Sequence, residues 1–148
     1  MPRIIGVDYG ERRVGLAISD PSGSLAVPLR VARVHSDAEA VEAVRQACIE
    51  TDAEQVLIGL PLTLRGERGP MAIKVEAFGK AVAAAGMSVV FWDERLSTAA
   101  VERTLIAADM SRLHRKGVRD KLAARITLQS YLDSKTGHDS AESDGQNG

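Results

Sequence analysis

The stretch Ile4-Ile5-Gly6-Val7-Asp8-Tyr9-Gly10-Glu11-Arg12-Arg13-Val14-Gly15-Leu16-Ala17-Ile18-Ser19 decides the fold. Residues 3–9 are β-rich, and Gly10-Glu11-Arg12-Arg13 reads as a tight connection to a second strand, Val14 to Ser19. Asp20-Pro21-Ser22-Gly23 is a strong turn signal. A third strand from about Ala26 to Val34 then completes an antiparallel meander.

Beyond the meander the period of the apolar residues changes. Ser36 followed by Glu39 forms a capping-box pattern at a helix start, and Val41, Val44 and Cys48 recur at helical spacing toward the core. On that stripe Cys48 reads as a small buried hydrophobe rather than a nucleophile. Gln55 to Leu60, with continuous Val56-Leu57-Ile58, reads as a buried strand. A polar loop with Gly66 and Gly69 leads to Pro70 in the first turn of the next helix, whose stripe is Val75, Phe78 and Val82 and whose stop is Gly86. Ser88 to Trp92 is a further short strand. Ser97 or Thr98 caps a helix to about Ala108, Met110 to Gly117 is polar and basic, and a last helix runs from about Arg119 to Asp133. The order β-β-β-α-β-α-β-α-α predicts an α/β fold with a mixed five-stranded sheet and helices on both faces. One domain over residues 1–133 and a disordered polar tail over 134–148 are expected.

The 148 residues suit one domain, with 45% hydrophobic and 26% charged residues in ordinary globular proportion. No apolar run is long enough to span a bilayer, and the first strand begins almost at once, so neither a membrane span nor a leader is expected. The single cysteine excludes an intramolecular disulfide, and a cytoplasmic location is the simplest expectation. The formal net charge of −1 favours no partner, so its distribution matters more. Residues 109–125 hold six cations (Arg112, Arg115, Lys116, Arg119, Lys121 and Arg125) against Asp109 and Asp120, a local excess of four. A solvated helix face is the plain alternative for such a cluster.

Three acidic positions stand out. Asp8 ends an otherwise apolar strand, where burying a lone charge is costly unless a cation or metal pairs with it; a turn-capping Asp is the alternative. Asp93-Glu94-Arg95 follows Val89-Val90-Phe91-Trp92, and alternation puts Asp93 and Glu94 on opposite faces, so only one can share a site with Asp8. Which one is open at this level. Asp120 lies near the start of the last helix, where an acid also suits the macrodipole, and Ala123 and Ala124 on its face let that helix lie close to a sheet. Around them, Arg12, Arg13, Arg95 and the Arg112 to Lys121 cluster, with Arg115 and Lys116 in it, could hold phosphates. Ser97 and Thr98 could donate hydroxyls. The loop after Gly59-Leu60-Pro61-Leu62 carries Arg65 and Arg68 and precedes a helix N-terminus, a candidate phosphate contact. His35, His114 and His138 have no metal-ligand spacing.

At these motifs the sequence resembles the YqgF family, also called RuvX, of Holliday junction resolvases or pre-16S rRNA nucleases. The matching stretches are Gly6-Val7-Asp8-Tyr9-Gly10 with Arg13-Val14-Gly15-Leu16-Ala17, Gly59-Leu60-Pro61-Leu62, Asp93-Glu94-Arg95-Leu96-Ser97-Thr98, and Asp120 through Ala123-Ala124 to Leu128-Gln129-Ser130-Tyr131-Leu132. They span almost the whole chain. Thr63-Leu64-Arg65 departs from the family, which usually has an Asn-Met-like polar segment there. The resemblance implies a ribonuclease H-like fold and an acidic triad of Asp8, Glu94 and Asp120, so that the choice of Glu94 over Asp93 rests on analogy.

The expected chemistry is metal-assisted hydrolysis of a nucleic-acid phosphodiester, with two Mg²⁺ or Mn²⁺ ions activating a water and stabilising the leaving oxygen. The resemblance favours 5′-end processing of pre-16S rRNA as the task. Cutting four-way DNA junctions is the alternative, and it would call for two active sites and hence a homodimer. A non-catalytic nucleic-acid-binding factor is the rival of another class, distinguished by salt-sensitive binding without cleavage.

Overall fold

The computed structural model describes residues 2–63, 65–93 and 122–135. The meander forms as expected: β1 (Ile4–Tyr9), β2 (Arg13–Ser19) and β3 (Ala26–Arg33) pair antiparallel, with Asp8 opposite Gly15 and Arg13 opposite Arg33. The turn between β2 and β3 is built on Asp20, whose carboxylate accepts from the backbone N–H groups of Ser24 and Leu25, each at 3.0 Å. Those bonds, the one from Leu25 foremost, hold its carboxyl below the ordinary range. Gly23 takes φ 77° in this turn, a conformation that favours glycine.

Helix α1 (Asp37–Thr51) begins where the sequence sets its cap: Ser36 Oγ accepts from the Glu39 N–H at 3.2 Å. Strand β4 (Gln55–Leu60) returns parallel to β1, α2 (Pro70–Ala84) crosses back, and β5 (Ser88–Asp93) pairs parallel with β4. The sheet order is β3-β2-β1-β4-β5, so β1 is central. A helix over residues 122–135, here α3, is the last described element.

Side-chain alternation divides the core in two. Ile5, Val7, Val14, Leu16, Val56 and Ile58 pack against α1 and α2. Ile4, Ala17 and Leu57 point the other way, against Ala124, Leu128, Tyr131 and Leu132 of α3. Helices therefore cover both faces, as predicted. The stripe of α1 differs from expectation: Ala40, Val44 and Ala47 are its buried residues, while Val41 and Cys48 are only partly buried at the margin. Small alanines at the centre let the helix sit close to the sheet, which rotates the larger side chains outward. The last helix continues two residues past the expected boundary at Asp133. Ser134 Oγ donates to the Tyr131 carbonyl at 3.1 Å, and Lys135 lies 5.2 Å from the Tyr131 ring centroid.

Helix α3 approaches the sheet closely at Gly6. A Cβ there would stand 2.8 Å from Leu128 Cβ and 3.3 Å from the Ala124 carbonyl oxygen. Neither atom can swing aside. Gly79 of α2 is also crowded, but by the ring of Phe91, which is 37% exposed and can move toward solvent. Gly6→Ala is expected to cost about 1–3 kcal/mol by overpacking. Gly79→Ala, offset by the helix preference for alanine, should stay within about 1 kcal/mol of wild type. Urea denaturation of both variants checks the contrast.

Candidate active site

Asp8 stands near the carboxyl end of the central strand, half-buried, on the same face as Gly6 and therefore on the side of α3. Its neighbours on the adjoining strands carry no side chains. Gly15 of β2 is its direct partner, and Gly59 of β4 follows Ile58, the partner of Val7. The two glycines leave the carboxylate flanked by bare backbone, which gives a bulky ligand a close approach. The motif Gly59-Leu60-Pro61-Leu62 thus has a structural reason at its first residue.

The same alternation separates Asp93 from Asp8. Trp92 lies on the α3 side, where its indole Nε1 donates to Ser130 Oγ at 3.2 Å and its ring centroid lies 5.4 Å from that of Tyr131. Phe91 points the other way, against Gly79 of α2. Asp93, paired with Leu60, follows the phase of Phe91 and so belongs to the α2 face. Of the two acids left open by the sequence, Asp93 is on the wrong side of the sheet to join Asp8.

The end of β1 is fastened from the opposite face. Tyr9 Oη donates to Asp37 Oδ1 at 2.5 Å, and the Tyr9 ring lies 4.6 Å from that of Phe78, centroid to centroid. This brace joins the strand end to the first turn of α1 and to α2. Burial first, then the bond to Asp37, pushes the Tyr9 phenol up to about 12. Next along the chain, Glu11 pairs with Lys74 of α2 and tethers the β1–β2 connection. In the sequence Tyr9 stands out only as part of a motif, and this role is missed; its signal is an aromatic beside the acid on the opposite phase of the strand.

Arg12 is exposed and Arg13 half-buried at the same end of the sheet, where they line an open cleft of about 600 Å³ with Arg33 and His35. Arg65 is exposed in a compact turn in which the Gly66 and Glu67 N–H groups donate to the Thr63 carbonyl and Oγ1. Arg68 in the same loop pairs with Glu76 at 2.5 Å. Glu94, Arg95, Ser97, Thr98, Arg115, Lys116 and Asp120 lie outside the described residues. Among the described residues no three His, Cys, Asp or Glu side chains converge on a common point. Asp8 is the one member of the expected triad that is described, and its hard oxygen donors suit Mg²⁺ or Mn²⁺.

A family model described as RuvX, Holliday junction resolvase, matches residues 2–134. The chain belongs to the RuvX family. Relatives extend over nearly their full length. A protein of Caldanaerobacter subterraneus, named provisionally as a pre-16S rRNA nuclease, is 45% identical over 90% of this chain and 97% of its own. A Listeria monocytogenes protein with the same name is 43% identical over 89% and 98%. Among solved structures, T. thermophilus RuvC in complex with a Holliday junction substrate matches 93% of this chain and 97% of its own, with TM-score 0.60 and 16% identity. The Fowlpox virus resolvase with junction DNA matches 89% and 97%, with TM-score 0.51 and 15% identity. At such identities these likenesses speak for the fold, and that fold is ribonuclease H-like. No helix among the described residues of this RuvX chain is long and apolar enough to cross a membrane.

Because the phenol is raised from 10.0 to about 12 in the folded chain, the Tyr9 brace stabilises the RuvX fold fully below pH 10. Its contribution is lost as pH rises toward 12. Tyr9→Phe should cost about 1 kcal/mol at neutral pH, the partly exposed bond being screened by solvent. The gap between wild type and Tyr9→Phe should close between pH 10 and 12 in chemical denaturation. A gap unchanged across that window would assign the stabilisation to ring packing alone.

Proposed function

We propose that this RuvX chain is a metal-dependent nuclease that hydrolyses nucleic-acid phosphodiester bonds in the 5′-end processing of pre-16S rRNA in the cytoplasm. The observation that carries the reading is the placement of Asp8 at the end of the central strand on the α3 face, flanked by Gly15 and by Gly59. Two sequence relations support a triad there. In sequence Asp120 precedes Ala124 by four residues, a spacing that would put both on one face if the helix began that early, and Ala124 lies against Gly6, two residues before Asp8 on the same face. Glu94 follows Asp93 in sequence, and a strand carried one residue further would turn it to the side of Trp92 and Asp8.

Asp8, Glu94 and Asp120 would hold the metal, with two Mg²⁺ or Mn²⁺ ions in our reading. Bound there, the ions supply water activation and charge neutralisation at the phosphate. The chain's own residues supply the rest. The Tyr9 brace and the Glu11–Lys74 pair fix the strand end, so the Asp8 carboxylate need not be reordered when substrate arrives. Arg12 and Arg13 would hold backbone phosphates near the cut. Arg65 at its loop, and Arg95, Ser97, Thr98, Arg115 and Lys116 would extend that grip along the strand.

The relatives' names favour pre-16S rRNA, whereas the family model's description favours a second reading, the cutting of four-way DNA junctions. That reading requires a homodimer, since symmetric cleavage needs two sites.

The test compares wild type and Asp8→Asn on a pre-16S rRNA fragment and on a four-way DNA junction, with and without Mn²⁺. Loss of a ligand worth several kcal/mol of charge stabilisation should lower cleavage on the order of 10³-fold. Equal cleavage by both proteins removes the catalytic reading, and binding without cleavage by either leaves a non-catalytic binding factor. Cleavage of the junction alone, by a species of dimer mass, selects the second reading. Independently, millimolar Mn²⁺ should raise the melting temperature of wild type and not of Asp8→Asn, because bound metal relieves repulsion among the gathered carboxylates.

A further inference from the structure

Strand β3 is not regular. From Ser19↔Ala26 through Ala17↔Pro28 the register is constant, but it shifts by one residue between Leu16 and Ala17, so that Leu16 faces Arg30 and Arg13 faces Arg33. The extra residue is a β-bulge at Leu29 and Arg30. Its signature is that these consecutive residues both point to the α1 side. Leu29 packs against that core, and Arg30 pairs with Glu50 of α1. After the bulge the phase of β3 is inverted. Val34 enters the α1–α2 core, and Arg33 turns to the Asp8 face. In a regular strand it would point toward α1.

The result is two arginines directly opposite each other at the end of the sheet. Like charges in that position repel and destabilise the pair. Among the described residues neither Arg13 nor Arg33 makes an ion pair, although Arg30, Arg45, Arg68 and Lys74 all do. Both line the open cleft with Arg12; the carboxylate in its wall, Glu11, is engaged by Lys74.

We infer that Arg13 and Arg33, set side by side by the bulge, form a two-arginine clamp for a backbone phosphate of the nucleic acid. The inference rests on the nuclease reading for the identity of the ligand and adds Arg33, a residue outside the sequence motifs, to the binding surface. Register fixes which phosphate it takes. Arg13 and Arg33 stand two residues beyond the Asp8–Gly15 level, about 7 Å along the strands, and Arg33 is two strands aside, about 10 Å. The clamp therefore grips a phosphate neighbouring the scissile one and sets the strand's path into the site. It is a positioning element rather than a part of the chemistry.

The experiment measures binding of a fluorescein-labelled single-stranded RNA by anisotropy in EDTA, so that no cleavage intervenes, between 50 and 200 mM KCl. One lost phosphate contact lowers the salt slope by about 0.7, so the affinity of Arg33→Ala should fall about threefold less than that of wild type over this range. Arg33→Lys, which keeps the charge, should retain the wild-type slope. In low salt Arg33→Ala should melt at or above the wild-type temperature, because the repulsion is gone. Arg33→Gln keeps the side-chain stem and should show the same reduced slope should alanine loosen the edge strand. Wild-type affinity and slope in both Arg33→Ala and Arg33→Gln would overturn the clamp, even with the Asp8-dependent cleavage intact. Conversely, the clamp stands on this measurement even where Asp8→Asn shows the nuclease reading to be wrong.

Discussion

The contact between α3 and the bare backbone of Gly6 is the constraint on which the rest of the structure depends. With no side chain on β1 at that point, the Ala124 carbonyl and the Leu128 Cβ come within a methyl group's space of the central strand. A helix held there cannot slide along the strand without losing the fit. The strand leads on to Asp8, so this one packing contact fixes α3 beside the candidate acid. A small residue on the strand and small residues on the helix do together what neither would do alone.

The period of two along the strands then sorts chemistry from scaffolding. On β1, Asp8 turns to the α3 side and Tyr9 to the α1–α2 side, where the bond to Asp37 and the Phe78 ring anchor it. On β5, Trp92 binds α3 through Ser130, and Phe91 packs on α2. The end of β1 thus has a fastened face and a face that can be given to a ligand, whereas β5 is packed on both faces. Rigid support behind a carboxylate matters because reordering it on binding would subtract from transition-state stabilisation.

What the sequence made legible was local. The meander, the Ser36 cap and the start of α2 at Pro70 follow from turn and capping chemistry within a few residues, and all three occur where expected. The phase of α1 was not legible to better than one position. Whether Ala40 and Ala47 or Val41 and Cys48 lead the stripe depends on how closely the helix approaches the sheet, a tertiary quantity. The face of the sheet that Asp93 takes became readable only once Trp92 had a partner across the interface. Arg33 was hidden for a different reason. Its face depends on a one-residue register shift between two strands, and no propensity at Leu29 or Arg30 announces it. Projecting the hairpin regularly from its turn pairs Arg13 with Ala32 and sends Arg33 to the wrong side.

The charge pattern completes this logic. A chain with a formal net charge of −1 cannot attract a polyanion by its total field, so attraction must come from cations left without internal partners. Around α1 and α2 several described cations are paired: Arg45 with Glu42, Lys74 with Glu11, Arg30 of β3 with Glu50 and Arg68 of the loop with Glu76. Glu42, held down to about 2 by Arg45 and Gln46, stays ionised throughout the physiological range and keeps that pairing intact. Arg12, Arg13 and Arg33, at the Asp8 end of the sheet, make no such pairs among the described residues. Arg12, Arg13 and Arg33 thereby gather positive charge around the cleft at the Asp8 end of the sheet. The bulge in β3 belongs to the same design, because it moves one more arginine from the packed side of the sheet to the side where a phosphate can reach it.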